Sequence, residues 1–213
     1  KTHELIAEQL ASRLREGTAR ILEEADIPLT DRASHRMLQN MHNQLTHQAT
    51  HDDLTGLINR KEFSKELKSA LDVAKRNDSI NLCASLDLDQ FKVINTAGGP
   101  AAGDKLLITV ARMLEDKLST FGAKVARLGG DEFGVLAQVD QEHATELALG
   151  IRATLSYPIS LPHKQVKIDV SIGYAPIDVT GGSSNCLGLA DLAMYEAKRS
   201  KSGVLMWQGE KIK

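Results

Sequence analysis

The stretch KVARLGGDEFGVLAQV, residues 124–139, carries the clearest fold signal in the chain. Two short apolar runs at 124–128 and 133–139 flank Gly129-Gly130-Asp131-Glu132, which predicts a β-hairpin with glycines and acids at its tip. Glycines tolerate positive φ and let a ligand approach the backbone closely. Asp131 and Glu132 are then either functional acids or ordinary residues of a surface turn, since Asp and Gly form turns in any case.

A second acidic cluster, Asp87-Leu88-Asp89, lies at the carboxyl end of an apolar strand predicted over residues 80–88, INLCASLDL. Because side chains alternate along a strand, Asp87 and Asp89 point to the same face. Two such carboxylates repel each other unless a positive group lies between them, and Mg²⁺ suits hard oxygen ligands. The alternative is that the strand has ended and both acids are solvated. With Asp131 in the same sheet, however, the carboxylates would form an arrangement that holds metal for nucleotidyl transfer.

A third segment, residues 95–105, reads as a Gly-rich turn entering a helix. Gly98 and Gly103 have the spacing of a P-loop, but Asp104 stands where a P-loop needs lysine, which excludes that interpretation. Asn95 and Asp104 offer an amide and a carboxylate, groups that match the N–H donors and the O6 acceptor of a guanine edge. Alternatively, both residues are helix caps.

Residues 49–213 alternate between helical and strand patterns. We predict helices over 60–76, 102–118, 141–155 and 187–200, and further strands over 166–172 and 204–207. Residues Phe63, Leu67, Leu71 and Ala74 share one face of the first of these helices. Single strands alternating with helices, plus one hairpin, predict an α+β fold with helices on one or both faces of the sheet.

The sequence pattern predicts a separate helical segment over residues 1–48. Leu10, Leu14 and Ile21 share one face of a first helix, and Pro28 ends it. Leu38, Met41 and Leu45 then recur at spacings of three and four, a short coiled-coil seam. A parallel signalling coil and a helical hairpin packed on its own domain explain this pattern equally well.

Composition limits the classes of function. The 213 residues are 42% hydrophobic and 25% charged with a net charge of −2, typical of a globular chain without a global basic field for nucleic acid polymers. No apolar run approaches the roughly 20 residues of a membrane helix, and the first residues lack a signal-peptide core. Cys83 and Cys186 fit no metal-ligand spacing, so buried thiols in a reducing cytoplasm are expected, although upstream sequence could attach the protein to a membrane.

Several of these motifs together resemble the GGDEF family of diguanylate cyclases. The signature is Arg127-Leu128-Gly129-Gly130-Asp131-Glu132-Phe133, and 51–60 (HDDLTGLINR) and 87–95 (DLDQFKVIN) look like the family's opening motif and its metal and nucleotide segment. Further matches follow in the family's order, at Gly103-Asp104, Ser171-Ile172-Gly173, Ala190-Asp191 and Tyr195-Glu196-Ala197-Lys198. The resemblance covers about residues 48–207.

The resemblance implies a central sheet wrapped by helices, like the palm of nucleotide cyclases and polymerases. It also implies a reaction that joins two GTP molecules into cyclic di-GMP with loss of two pyrophosphates. Each domain of a homodimer binds one GTP, and each 3′-hydroxyl attacks the other's α-phosphate. The implied cofactor is Mg²⁺, with Mn²⁺ as the alternative ion.

Roles carry over position by position. Asp87, the Leu88 carbonyl and Asp131 are expected to bind the metal. Asp131 is also expected to take the 3′-hydroxyl proton, with Glu132 beside it in the catalytic site. The remaining implied roles are stabilisation of phosphate charge by Lys92, guanine recognition by Asn95 and Asp104, close approach of substrate at Gly129 and Gly130, and contact with a terminal phosphate by Lys198.

The chain also departs from the family pattern. Thr96 stands where the family has Asp, Pro100 where it often has His, and Ser202 where an Arg often contacts phosphate. Thr120 and Ala123 occupy the positions of the Arg and Asp of the inhibitory product site, so we expect that site to be absent. These departures lean toward a GTP-binding regulator of an adjacent phosphodiesterase domain, which is the alternative. We favour an active cyclase, because Asp87, Lys92, Asn95, Asp104 and the Gly-Gly-Asp-Glu-Phe motif are intact. Either could be fused to a sensor domain.

Overall fold

The computed structural model describes residues 32–77, 81–156, 158–161, 164–177 and 186–208. Its contacts divide the chain into two compact units, residues 1–49 and 50–213. The first unit contributes most of helix α1, Arg32–Thr50. The predicted helix that contains Leu10, Leu14 and Ile21 lies outside the described residues.

The second unit contains the remaining elements. Its helices are α2 (Arg60–Asn77), α3 (Phe91–Gly98), α4 (Pro100–Leu118), a 3-10 turn (Ser119–Phe121), α5 (Gln141–Leu155) and α6 (Cys186–Ser200). Its strands are β1 (Ile58–Asn59), β2 (Asn81–Asp89), β3 (Lys124–Gly129), β4 (Glu132–Gln138), β5 (Ile159–Leu161), β6 (Lys164–Val166), β7 (Asp169–Pro176) and β8 (Val204–Met206). Among the described helices, none has the length and apolar character to span a membrane.

Six strands form one mixed sheet in the order β1-β3-β4-β2-β7-β8. The three inner pairings, β3 with β4, β4 with β2 and β2 with β7, are antiparallel, and the outer strands β1 and β8 join in parallel. Strands β5 and β6 form a separate two-stranded sheet. The long strand β2 is therefore central, and its last residues lie beside the β3–β4 hairpin. The predicted α+β fold is confirmed.

Helices cover both faces of this sheet. On one face, Leu86 of β2, Phe133 of β4 and Ile172 of β7 pack with buried residues of α4 and α5. The opposite face packs against α2 and α6, and Phe63 and Ala190 belong to that second buried cluster. Because strand side chains alternate, the odd-numbered residues of β2, including Asp87 and Asp89, belong to the face that α6 covers.

Two sequence predictions need correction. The strand predicted over 166–172 runs from Asp169 to Pro176, and the short β5–β6 hairpin precedes it. The turn predicted over 95–105 is largely helical, because α3 continues to Gly98 and α4 begins at Pro100. Gly99, at φ +76°, is the single residue that separates these two helices. A proline at the first position of a helix is favourable, since its missing N–H would have no helical partner there.

Candidate active site

The tip of the β3–β4 hairpin depends on its two glycines. Gly129 has φ +148° and Gly130 φ +50°, backbone conformations that other residues rarely adopt. The strand register shifts between Arg127 and Gly129, so the tip is irregular at the point where Asp131 follows. The signature glycines are therefore required by the turn itself, and they fix the direction of the acids after them.

Two arginines hold this hairpin from the side. Arg127 donates to the Gly130 carbonyl from Nε and Nη2 at 3.1 and 2.9 Å. Arg60 donates to the Leu128 carbonyl from Nε at 2.7 Å and forms an ion pair with Glu132 at 3.1 Å. Backbone carbonyls on both sides of the tip thus accept hydrogen bonds from charged donors, which are stronger than neutral ones.

Asp52 in turn holds Arg127. Its carboxylate oxygens lie 3.1 and 3.2 Å from Arg127 Nη1, and Asp52 Oδ1 also accepts bonds from the Thr55 backbone and hydroxyl. Burial opposes the charge of Asp52, but the bonds from Thr55 and Arg127 outweigh it and lower the pKa of Asp52 below 3.8. Two residues of the HDDLTGLINR motif, Asp52 and Arg60, therefore stabilise the β3–β4 hairpin.

The end of β2 meets this tip directly. Asp87 is paired with Glu132 across the β2–β4 ladder, and the Leu88 backbone N–H donates to the Asp131 carbonyl at 3.3 Å. In an antiparallel pair the N–H and C=O of one residue face the same neighbour, so the Leu88 carbonyl also faces the hairpin. The structure thus brings Asp87, Leu88, Asp131 and Glu132 together at the C-terminal end of β2, next to the hairpin tip.

Lys198 supplies a positive group beside the β2 acids. Its Nζ lies 2.5 Å from Asp87 Oδ1 and 3.8 Å from Asp89 Oδ1. Burial disfavours the ammonium charge, but the hydrogen bond with Asp87 and the attraction of Asp87, Asp89 and Asp131 outweigh it and raise the pKa of Lys198 above 10.5. Lys198 lies close to both Asp87 and Asp89, which agrees with the expectation that the two acids share a face. The positive group between them in this structure is a lysine of the chain.

Helix α6 can present Lys198 here because it approaches β7 very closely. A Cβ added at Gly173 would lie 1.9 Å from the Met194 backbone nitrogen and 2.2 Å from the Ala190 carbonyl oxygen. Only glycine permits this approach. Residues Ala190, Ala193, Met194 and Ala197 form the buried side of the helix.

Asp89 is held in place by Ser171 of β7. The Ser171 hydroxyl lies 3.1 and 3.0 Å from the two Asp89 carboxylate oxygens, and Ser171 is 2% exposed. Burial raises the pKa of Asp89, and the charges of Asp87 and Asp169 add to this effect, while Ser171 and Lys198 oppose it. Sequence reasoning missed the roles of Arg60, Asp52 and Ser171, although each falls in a motif that it quoted.

The predicted guanine-binding residues lie on the α3–α4 pair. The Asn95 Oδ1 atom is buried and has no hydrogen-bond partner in the described part of the chain. A Cβ added at Gly103 would lie 2.7 Å from that oxygen, so glycine makes room for Asn95. Asp104 and Lys92 are exposed on the same pair of helices, and among the described residues no ion pair joins Lys92 to Asp87 or Asp89 or joins Asp104 to Lys198.

Comparisons with known proteins give the family of the chain. A family model described as "Diguanylate cyclase, GGDEF domain" matches residues 49–203. The chain therefore belongs to the GGDEF family of diguanylate cyclases.

Named relatives support the same assignment. Diguanylate cyclase TpbB of Pseudomonas aeruginosa is 38% identical over 78% of this chain and 39% of its own length. The bifunctional diguanylate cyclase/cyclic di-GMP phosphodiesterase MucR of the same species is 36% identical over 76% of this chain and 24% of its own length. This chain thus spans less than half of either relative.

A solved structure has the same fold. The coiled coil and GGDEF domain of DgcB from Caulobacter crescentus, in complex with c-di-GMP, matches with a TM-score of 0.72 at 27% identity. The match covers 92% of this chain and 98% of that chain.

Proposed function

We propose that this chain is a diguanylate cyclase that condenses two GTP molecules into cyclic di-GMP and two pyrophosphates. One observation carries the proposal: Asp87 and the hairpin acids meet at the end of β2 beside Lys198. This combination supplies oxygen ligands for a divalent ion and a cation for phosphate within one small region. The proposed cyclase domain is residues 49–213, preceded by the helical segment 1–48, and its proposed location is the cytoplasm.

The residues at the end of β2 fit Mg²⁺, with Mn²⁺ as the alternative. The described residues contain no group of three His, Cys, Asp or Glu side chains arranged as a complete metal cage. Mg²⁺ does not need one, because it usually keeps several waters and binds one or two carboxylates plus substrate phosphates. Asp87, the Leu88 carbonyl and Asp131 would hold the ion, whose chemistry is to neutralise charge that develops on the phosphates.

The other residues of the site bind and orient GTP. The unpartnered Asn95 Oδ1 is an acceptor suited to a guanine N–H, and Asp104 offers a second acceptor on the next helix. Lys198 and Lys92 carry the charge that the triphosphate requires. Asp131 accepts the proton of the attacking 3′-hydroxyl, while Glu132 is directed by its ion pair with Arg60.

The reaction requires two copies of the chain. Each copy binds one GTP, so a homodimer is needed to bring each 3′-hydroxyl to the partner's α-phosphate. The DgcB structure combines a coiled coil with a GGDEF domain, and its match extends over 92% of this chain. This similarity supports the coiled-coil interpretation of residues 1–48.

A regulatory GTP-binding module is the second candidate. Ser202 stands where the family resemblance expects a phosphate-binding Arg, and its hydroxyl lies 3.2 Å from the Ser200 hydroxyl. Loss of one charge-assisted contact costs about 1.5–3 kcal/mol, which weakens triphosphate binding. The relative MucR is named both a diguanylate cyclase and a cyclic di-GMP phosphodiesterase, the combination in which such a regulatory module would act. A fused sensor or phosphodiesterase domain would be the target of this regulation.

Product analysis separates the two candidates. The purified chain at high concentration is incubated with GTP and Mg²⁺ beside Asp131→Asn and the matched control Asp116→Asn, an exposed acid of α4. We expect cyclic di-GMP from the wild type and the control, and formation at least about 100-fold slower from Asp131→Asn. A wild type that binds GTP in a Mg²⁺-dependent, saturable manner but makes no product would contradict the cyclase and support the regulatory module.

A further inference from the structure

The Asp87 carboxylate already carries a cation that belongs to the chain. Lys198 Nζ is 2.5 Å from Asp87 Oδ1, a short charge-assisted contact. The Asp87 side chain is only 14% exposed, whereas Lys198 is 45% exposed, so the acid is fixed in the sheet and the lysine reaches it from solvent. A divalent ion that binds Asp87 must therefore displace Lys198 or bind next to its ammonium charge.

Asp89 offers Lys198 a second position. It lies on the same face of β2 as Asp87, and its carboxylate is 3.8 Å from the same Nζ atom. The Ser171 hydroxyl contacts both of its oxygens, and Asp89 is paired with Asp169 in the β2–β7 ladder, so it is held in place from the neighbouring strand. A flexible lysine stem can change between two carboxylates at these distances without any movement of α6.

A lysine ammonium and a divalent ion cannot share Asp87 without strong repulsion. Charges of like sign a few ångströms apart in a partly shielded site repel more than they would in bulk water. Transfer of Lys198 to Asp89 lowers this repulsion and keeps the ammonium beside the position where a triphosphate would bind. Asp89 would then bind no substrate or metal itself but would position Lys198.

We propose that Lys198 is the resident counter-ion of Asp87, that it competes with the divalent ion, and that Asp89, held by Ser171, receives Lys198 when the ion binds. This inference rests on the proposed function in one respect, the assignment of Asp87 as a metal ligand. Unlike the proposed function, this inference predicts that loss of a substrate-binding lysine improves metal binding.

Metal affinity in the absence of nucleotide tests the competition. Free Mn²⁺ is measured by electron paramagnetic resonance in titrations of the full chain. We expect Lys198→Met, which keeps the aliphatic stem and removes the charge, to bind Mn²⁺ roughly three- to tenfold more tightly than the wild type. Lys198→Gln should do the same, which guards against a folding defect of one variant. The control Lys68→Met removes an equal charge from the exposed side of α2 and should leave the affinity unchanged.

A double-mutant cycle tests the role of Asp89. Asp89→Asn keeps an acceptor for Ser171 but removes the charge, so Lys198 stays on Asp87 and Mn²⁺ affinity falls. In a Lys198→Met background the same substitution should have a clearly smaller effect, because no lysine remains to be received. An Asp89 that acted only as a nearby negative charge would lower the affinity equally in both backgrounds, and that result would overturn its positioning role.

The competition itself fails if Lys198→Met and Lys198→Gln bind Mn²⁺ no more tightly than the wild type, including the case where no form binds it. This outcome is separate from failure of the cyclase assignment, which is decided by cyclic di-GMP formation in the wild type. A chain that makes product but shows no change in Mn²⁺ affinity would retain its proposed function and lose this inference.

Discussion

At the scale of single residues, Asp52 helps to hold the hairpin tip in place through a second side chain. Among the described residues, no hydrogen bond or ion pair joins Asp52 to Asp87 or Asp89, yet Asp52 holds Arg127, and Arg127 holds the Gly130 carbonyl at the hairpin tip. The Arg127 and Asp52 side chains are 15% and 24% exposed. Because the pair is shielded from water, its loss should lower the free energy of unfolding more than the loss of a surface ion pair does.

We predict that Asp52→Asn lowers the free energy of unfolding by about 1.5–3 kcal/mol at pH 7, the usual range for hydrogen bonds to a charged group. The folded-state pKa of Asp52 is lowered, so this stability is present above its ordinary pKa of 3.8 and is lost as the pH falls further. The difference between wild type and variant in urea denaturation should therefore shrink below about pH 4.

The neighbouring Asp53→Asn serves as the control, since Asp53 is exposed. It should change stability by less than about 0.5 kcal/mol. A difference between wild type and Asp52→Asn that stayed constant down to pH 2 would show that the carboxylate charge is not the source of the stability.

At the scale of elements, the contact between α6 and β7 decides where Lys198 lies. The position of the helix depends on Gly173, whose added Cβ would overlap the backbone of Met194 and Ala190. Backbone atoms cannot move aside as a flexible side chain can. The SIG motif thus contributes Ser171 to hold Asp89 and Gly173 to admit the helix.

We predict that Gly173→Ala destabilises the fold by at least about 1–3 kcal/mol, because overpacking moves α6 away from the sheet. Urea denaturation measures the loss, and binding of a non-hydrolysable GTP analogue should weaken as Lys198 moves. Gly150→Ala in α5 is a control of opposite sign. An added Cβ there would meet only the flexible end of Lys117 at 3.3 Å, so the helix should gain about 0.5–1 kcal/mol.

A Gly173→Ala variant as stable as the wild type would mean that α6 is not tightly seated on β7. Unchanged stability together with weaker nucleotide binding would contradict the overpacking argument as well.

At the scale of the whole molecule, helix α1 leaves apolar side chains exposed. Met37, Met41 and Leu45 are 65%, 49% and 57% exposed in the chain taken alone. They recur every four residues along one stripe of the helix, next to the half-exposed Leu38. A coiled coil with a second copy would bury such a stripe.

The coiled-coil interpretation predicts that Met41→Lys combined with Leu45→Lys weakens self-association at least about tenfold, because two charges replace buried apolar contacts. Sedimentation velocity of the full chain measures the change, and cyclase activity should fall with it. Gln39→Lys combined with Asn43→Lys adds the same charge at the same spacing on the outer positions and should have little effect. A mass unchanged by the Met41 and Leu45 pair would instead favour the helical hairpin.

Much of the fold could be predicted from local patterns. The helices at 60–76 and 141–155 and the 124–139 hairpin follow from apolar periodicity and from turn chemistry. The sequence pattern does not predict helix α3, because its eight residues, Phe91–Gly98, are followed at once by Gly99, and the Gly98-Gly99 pair is typical of a turn. The sequence pattern places strand β7 too early, because its buried residues run from Val170 through Gly173 to Ala175, beyond the alternating part of the pattern.

The sequence by itself determined where the hairpin turns and to which family the chain belongs, and it predicted the candidate acids of the site, because these features depend on neighbouring residues. Only the tertiary structure decided that Lys198 meets Asp87, 111 positions away, and that Arg127 meets Asp52, 75 positions away. The physical reason is that such pairs depend on strand register and on how closely a helix can approach a sheet. Those quantities are set by packing between distant elements, such as α6 against Gly173, and no local pattern encodes them.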